Sequence, residues 1–425
     1  MMVDYRKWVR FGGVLAIVVA LAACASAPDR RPPVVADRND PAVSEPSPLL
    51  FGEEAEEYDR RGFVRPPHMS GVEPMRVGLL LPFTAPQENA QRVAAAMFDA
   101  AQLALFDAGD QRFLLIPKDT KGSPDGAASA ARSALADGAE ILLGPVFHES
   151  VEAAAIVARA AETPIIAFSN DLSDAGDGVY LLSFPPELEI ERVTEFAVSQ
   201  EMTRFGVLAP MTEYGERVSS AFSQEVFGRG GVIVHEERYI QDPDSMLEPA
   251  KRMAVYAREV VPEELRHDYD PENATADAEK DEGFTLGYEA VLMPEQGTLL
   301  RALAPLLPYY NVDITRVKLL GVSAWNNPRL TREPALRGGW FAAPDPEITK
   351  NFETRFANAF GELPPRLASL AYDATLLTAR LAATRKRDPF ADTAIADPNG
   401  YFGADGLFRF RRDGSVERGL AILEI

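Results

Sequence analysis

From residue 75 onward the chain alternates between short apolar runs and longer segments in which apolar residues recur every three or four positions. Arg76-Val77-Gly78-Leu79-Leu80-Leu81-Pro82 is apolar after its first residue and closed by proline, the pattern of a strand buried on both faces. A helix should follow over 93–106, where Val93, Met97, Ala100, Ala101, Ala104 and Leu105 fall near helical spacing and Gly109 supplies a stop. The alternation then predicts strand 113–116, helix 125–136, strand 140–143, helix 150–161 and strand 164–168. Such a series of βαβ units builds a parallel sheet with helices on both faces, and ligands of these sheets gather beyond the carboxyl ends of the strands.

A second round begins after Phe184-Pro185-Pro186 with helix 187–200, strand 204–208, helix 213–227, strand 231–235 and helix 245–258. Residues 262–283 break the pattern: they are too acidic and proline-interrupted for a core and read as an exposed insertion. Strand 288–292, helix 296–306, strand 317–321 and strand 339–342 follow, then helices 349–360 and 366–382. Near the end, 407–411, the Asp413-Gly414 pair and 418–425 give a hairpin signal. The fold class that follows is α/β, with two Rossmann-like lobes.

Before residue 75 the character differs. Arg6, Lys7 and Arg10 precede an apolar run over 11–20 that is too short to span a bilayer, and Leu21-Ala22-Ala23-Cys24 follows directly. Cys24 is the only cysteine in the sequence, and small residues in front of it make a lipobox with a thiol for diacylglyceryl attachment. Residues 1–23 are therefore expected to be a lipoprotein signal peptide and Cys24 the lipidation site. Residues 24–74 carry scattered prolines among charged residues and read as a flexible tether reaching on the order of 100 Å, with Glu53-Glu54-Ala55-Glu56-Glu57 also able to start a short helix. Residues 75–425 form the folded part.

Composition narrows the classes. At 46 % hydrophobic and 25 % charged residues the chain has ordinary globular usage, and its formal charge of -21 disfavours nucleic-acid binding. The basic runs Arg385-Lys386-Arg387 and 409–412 are short and read as solvated surface. With a single cysteine, no disulfide is expected within the folded part.

The stretches Val77-Gly78-Leu79-Leu80-Leu81-Pro82, Asp119-Thr120-Lys121-Gly122, Leu143-Gly144-Pro145, Pro164-Ile165-Ile166-Ala167-Phe168-Ser169-Asn170 and Glu213-Tyr214-Gly215 resemble the type I periplasmic binding proteins, the Leu/Ile/Val-binding kind. That resemblance implies two lobes joined by three crossovers around a ligand cleft, with lobe one at about 75–183 and 341–402 and lobe two at about 184–340 and 403–425. A narrower set is similar to the lipoprotein activators of penicillin-binding proteins, the LpoA or LppC type. It comprises 320–327, Gly338-Gly339-Trp340-Phe341-Ala342-Ala343, Leu370-Ala371-Tyr372-Asp373-Ala374 and 408–418. This second resemblance implies a non-enzymatic regulator of peptidoglycan synthesis that binds and activates a bifunctional penicillin-binding protein from the outer membrane. The best-known members carry a helical-repeat domain ahead of the binding-protein-like domain, whereas this chain has only the tether. The alternative is a lipid-anchored substrate-binding protein of an ABC importer for a small solute such as an amino acid or amide.

Analogy with amino-acid receptors of this fold nominates Ser150, Ser169, Asn170, Tyr214 and Trp325 as cleft residues. Ser150 and Ser169-Asn170 would hold a carboxylate with hydroxyls and helix N-termini, although 147–150 reads equally as a helix cap. Tyr214 matches a cleft tyrosine or is half-buried packing. Where those receptors offer an acid to the ligand ammonium, this chain has Ser323-Ala324-Trp325, which argues against an ordinary amino acid. Trp325 either covers an apolar or sugar-like face or fills the space itself.

His68, His148, His235 and His267 are dispersed, and no metalloprotease helix, nucleophile elbow or phosphate loop is present. No catalytic residue, metal or cofactor is therefore expected. Residues 268–272 look superficially like part of a calcium loop but lack its glycine and distal glutamate. Ala25 stands where inner-membrane lipoproteins commonly carry aspartate, which points to the periplasmic face of the outer membrane.

Overall fold

A computed structural model describes residues 74–110, 112–257, 287–384 and 386–425. The expected signal peptide, Cys24, the expected tether up to residue 73 and the expected insertion 262–283 lie outside the described residues.

Five strands, β1 (Met75–Leu81), β2 (Phe113–Asp119), β3 (Ile141–Leu143), β4 (Ile165–Ala167) and β5 (Val179–Leu181), form one parallel sheet in the order β2-β1-β3-β4-β5. Helices α1 (Glu88–Ala108), α2 (Pro124–Ala136) and α3 (His148–Ala160) connect them. Each boundary has a local cause. Gly109 ends α1 in the left-handed region at φ 63°, and the Ser123 hydroxyl caps α2 by accepting from the Gly126 N–H at 3.2 Å. Helices α2 and α3 pack through alanines, among them Ala127, Ala131, Ala154 and Ala158, small enough to bring helix and sheet close.

The second lobe contains α4 (Pro186–Ser199), β6 (Arg204–Pro210), α5 (Glu213–Gly228), β7 (Val232–Tyr239), α6 (Leu247–Val255), β8 (Ala290–Leu292), α7 (Gly297–Leu303), α8 (Leu306–Tyr309), β9 (Lys318–Gly321) and β10 (Trp340–Ala343). Its sheet runs β14-β10-β9-β8-β6-β7, where β14 (Ala421–Glu424) is antiparallel to β10. One continuous core, from Ile190 and Phe205 through Leu292 and Leu320 to Trp325 and Phe341, holds this lobe. At about 1.5–3 kcal/mol for each fully buried large apolar side chain, such a core is its main source of stability.

After β10 the chain returns to the first lobe. Helices α9 (Pro346–Phe360) and α10 (Ala368–Ala383) pack on α1, with Phe352, Phe356 and Tyr372 against Ala96, Ala100 and Ala104. A short helix α11 (Asp392–Ile395) leads to the antiparallel sheet β11 (Tyr401–Gly403), β12 (Gly406–Phe410) and β13 (Val416–Arg418). The chain thus crosses between lobes at 182–185, 344–345 and 419–420.

Two expected boundaries move. Residues 403–418, expected in lobe two, place Phe408, Phe410 and Val416 in the core of the first lobe beside Tyr180 and Leu182. The strand at 340–343, expected to open the return to lobe one, pairs with β9 in the second sheet. The hairpin is β12 with β13, so its second arm is 416–418, whereas 421–424 goes to the other lobe.

Candidate functional site

The two lobes meet near the loops that leave the carboxyl ends of the strands. Thr212 caps α5, its hydroxyl accepting from the Gly215 N–H at 3.0 Å, and so sets Tyr214 and Arg217 in the first turns of that helix. Arg217 spans the junction: its Nη2 donates to the Asn170 carbonyl at 2.7 Å and to Glu187 Oε2 at 2.8 Å. Asn170 belongs to the loop after β4 of the first lobe, whereas Glu187 lies at the start of α4 in the second.

The nominated residues end up in different settings. Ser150, the third residue of α3, is 1 % exposed and shares the inward face of the helix with Ala154 and Ala158, its Oγ without a hydrogen-bond partner. It is therefore inside the lobe and offers no hydroxyl to a cleft. Ser169 is buried too; its Oγ accepts from the Asp171 N–H at 3.1 Å. Asn170 contributes its backbone carbonyl to Arg217. Trp325 follows the second of its two readings and fills space itself: it is 0 % exposed, with Nε1–H donating to the Glu295 carbonyl at 3.1 Å and its ring beside Phe341. Gly321 and Gly339 explain the position: a Cβ at Gly321 would overlap the indole, and one at Gly339 would stand 2.9 Å from Cζ3. The indole fills a hole that these two glycines leave.

Tyr214 and Asn170 keep open surface. Tyr214 is the aromatic one. It is 41 % exposed, while burial around its hydroxyl, with Glu189 and Glu295 nearby, pushes its pKa up and keeps it a neutral phenol. Phe147, Leu172 and Met211, in loops after β3, β4 and β6, are also exposed apolar residues.

Several acids at the junction were not singled out from the sequence, because isolated glutamates carry no spacing signal. Glu295 follows β8 and is 2 % exposed. Its carboxylate accepts from the Tyr239 hydroxyl at 3.0 Å, Gln241 Nε2 at 3.1 Å and the Gln296 N–H at 3.0 Å, so it is fully occupied. Glu189 of α4 accepts from the Ser323 N–H at 2.8 Å; burial raises its pKa against the pull of that bond and of Arg366. His148 Nδ1 stands 2.8 Å from Asp174 Oδ1 and 3.7 Å from Asp171 Oδ2. Partial burial lowers the imidazole pKa, but Asp174, Asp171 and Glu152 together outweigh it and the net shift is upward.

A second charged group lies where the crossovers converge. The Phe184 ring meets two guanidinium groups, that of Arg366 at 3.5 Å from its centroid and that of Arg418 at 4.3 Å. The Arg418 guanidinium is buried, donates through Nε to the Ser183 carbonyl at 2.7 Å, and has its pKa drawn down to about 10 by burial. Arg366 Nη1 donates to Asp405 Oδ1 at 2.7 Å, and Asp373 Oδ1 accepts from the Ala404 N–H at 2.6 Å. Burial, with Asp405 adjacent, pushes Asp373 up to about 7. Asp373 and Arg418 both lie in stretches that carry the narrower resemblance, and both are internal.

Among the described residues no group of three His, Cys, Asp or Glu side chains is placed to hold a metal ion, and no helix is long and apolar enough to cross a membrane.

Residues 74–254 match a family model described as periplasmic binding protein. Among solved structures, a branched-chain amino acid ABC transporter protein from Rhodospirillum rubrum is 17 % identical, with 83 % of this chain and 97 % of that one aligned at a TM-score of 0.65. A branched-chain amino acid ABC transporter periplasmic ligand-binding protein from Burkholderia xenovorans is 17 % identical, covering 82 % and 90 % at 0.61. An ABC transporter solute-binding protein from Rhodopseudomonas palustris, in complex with 3,4-dihydroxybenzoic acid, is 18 % identical, covering 83 % and 93 % at 0.54. No curated protein matches the chain. The fold is that of the type I periplasmic binding proteins.

Proposed function

We propose that this chain is a non-enzymatic binding protein of the periplasm, anchored through Cys24 to the outer membrane, which binds and activates a penicillin-binding protein that synthesises peptidoglycan. The observation that supports protein contact over solute capture is how the nominated cleft groups other than Tyr214 and the Asn170 side chain are spent. Ser150 and Trp325 are internal, Ser169 holds its own loop, the Asn170 carbonyl is taken by Arg217, and Glu189 and Glu295 bond within the protein. No free acid is left among these residues for a ligand ammonium, whose uncompensated burial would cost several kcal/mol. The narrower sequence resemblance supplies the identity of the partner. Affinity capture of each purified synthase of the source cell on the immobilised chain tests it: one synthase should be retained at micromolar concentration, and retention of none would refute the reading.

A second reading, a receptor for a small solute of an ABC importer, is favoured by the solved structures of this fold named above. Within the protein its support is the open face of Tyr214 with Phe147 and Met211 exposed in neighbouring loops, a surface suited to an apolar or aromatic solute. Such a solute would raise the melting temperature by mass action, by about 2.7 kcal/mol of stability at a hundred times its Kd.

A further inference from the structure

We infer that a cavity beside the first crossover is a docking site for a lysine or arginine side chain of a protein partner. The cavity is about 370 Å³ and both lobes build it. The first lobe gives Leu172, Ala175 and the 411–416 turn of the hairpin; the second gives the first half of α4 and the later half of α5.

Charge selects the occupant. Four carboxylates, Glu187, Glu191, Glu225 and Asp413, face one guanidinium, Arg411. Glu187 is held by Arg217, Glu225 by Arg229, and Asp413 Oδ1 by the Ser415 N–H and hydroxyl. Arg411 is itself bound to Glu417 at 2.6 Å. Among the described residues Glu191 makes no direct hydrogen bond or salt bridge; it meets the charge of Arg411 only at longer range, and Arg411 is already bonded to Glu417. An anionic ligand would be repelled there.

Shape sets the class of cation. Leu188, Val416 and the half-exposed Leu172 give the cavity an apolar side that a bare metal ion or ammonium would leave unused. A lysine or arginine side chain lays its methylene stem on such a surface and extends its charge past it. The chain's net charge of -21 also favours encounter with a basic partner. Because the walls come from both lobes, an occupant fixes their relative orientation, so docking is coupled to lobe geometry. The proposal rests on the protein-contact reading for the source of the cation alone.

The test uses the full chain and the peptides acetyl-Leu-Arg-Leu-amide and acetyl-Leu-Gln-Leu-amide, with acetyl-Leu-Glu-Leu-amide as a third for the charge-reversed variant, titrated by calorimetry at low and high salt. The arginine peptide should bind about ten-fold more tightly at low salt, with the preference shrinking as salt rises. Glu191→Gln, at an unchanged melting temperature, should abolish the preference, and Glu191→Lys should transfer it to acetyl-Leu-Glu-Leu-amide. Equal binding of the two peptides, no binding at millimolar concentration, or a preference that survives Glu191→Gln would overturn the assignment. Because no synthase enters this experiment, a failed capture of synthases with retained peptide preference removes the partner while leaving the site, and the converse removes the site alone.

Discussion

Arg217 Nη2 donates to the Asn170 carbonyl at 2.7 Å, so a helix of the second lobe grips the loop that closes a strand of the first. Glu187 holds the same guanidinium from the side. The bond uses the backbone of Asn170 and not its amide, which is why the residue type gave no clue to it.

Arg217→Ala should loosen this clasp. Removing a charge-assisted bond to a carbonyl and a partly exposed ion pair costs about 1–3 kcal/mol together. Small-angle scattering should show a larger radius of gyration, and hydrogen exchange should quicken in 168–174 before it quickens in the β1–β5 sheet. Unchanged scattering and exchange would mean that the crossovers alone set the lobe angle.

Gly321→Ala tests the seat of Trp325. The added methyl collides with a ring that has no empty space to enter, and overpacking of this kind costs about 1–3 kcal/mol. The melting temperature should fall and the tryptophan fluorescence should shift to the red. Neither would move if the indole were free to swing into the cleft.

Asp373 makes stability depend on pH. Its folded pKa, about 7, lies above the ordinary carboxylate value, so between those two limits the folded state binds more protons than the unfolded one. Stability from this group therefore declines as pH rises from about 4 to about 7. His148, whose folded pKa is also raised, acts in the same direction: its contribution is present below the unfolded imidazole value and is lost as pH rises through the folded one. Asp373→Asn keeps an acceptor for the Ala404 N–H and removes the charge facing Asp405. Thermal melts of this variant should show a shallower fall than the parent between about pH 4 and about 7, the span from the ordinary carboxylate value to the folded value of Asp373. An identical slope would show that Asp373 does not titrate there.

Tyr214→Ala separates the two functional readings. Partner contact through the hinge-side cavity leaves synthase binding unchanged, because Tyr214 does not line that cavity. A solute receptor would lose about ten-fold or more in affinity on removal of an aromatic anchor. Melting-temperature shifts with a solute library, read on parent and variant side by side, check this.

The alternation of apolar runs and helical stretches made the two parallel sheets legible, because strands such as 76–82 are apolar on both faces and helices such as 93–106 on one. Strand β5 escaped notice: it has three residues and sits between Gly178 and Leu182 without a periodic pattern of its own. The fate of 403–418 was equally hidden, since alternation tells which residues of a hairpin point inward but not which lobe receives Phe408 and Phe410. At the site, sequence offered hydroxyls at strand ends, and Ser169 and Tyr214 do lie at the junction. Ser150 went inward because it shares the helix face of Ala154 and Ala158. Trp325 was placed by glycines at 321 and 339, one of them 14 positions further along the chain, a relation that exists only in three dimensions.

The central claim is that this chain acts on a synthase by contact. The most direct measurement is the rate of glycan polymerisation by each purified bifunctional penicillin-binding protein of the source cell, with and without residues 75–425. One enzyme should accelerate in a saturable manner at micromolar concentration; unchanged rates for every synthase, at concentrations well above that, would contradict the account.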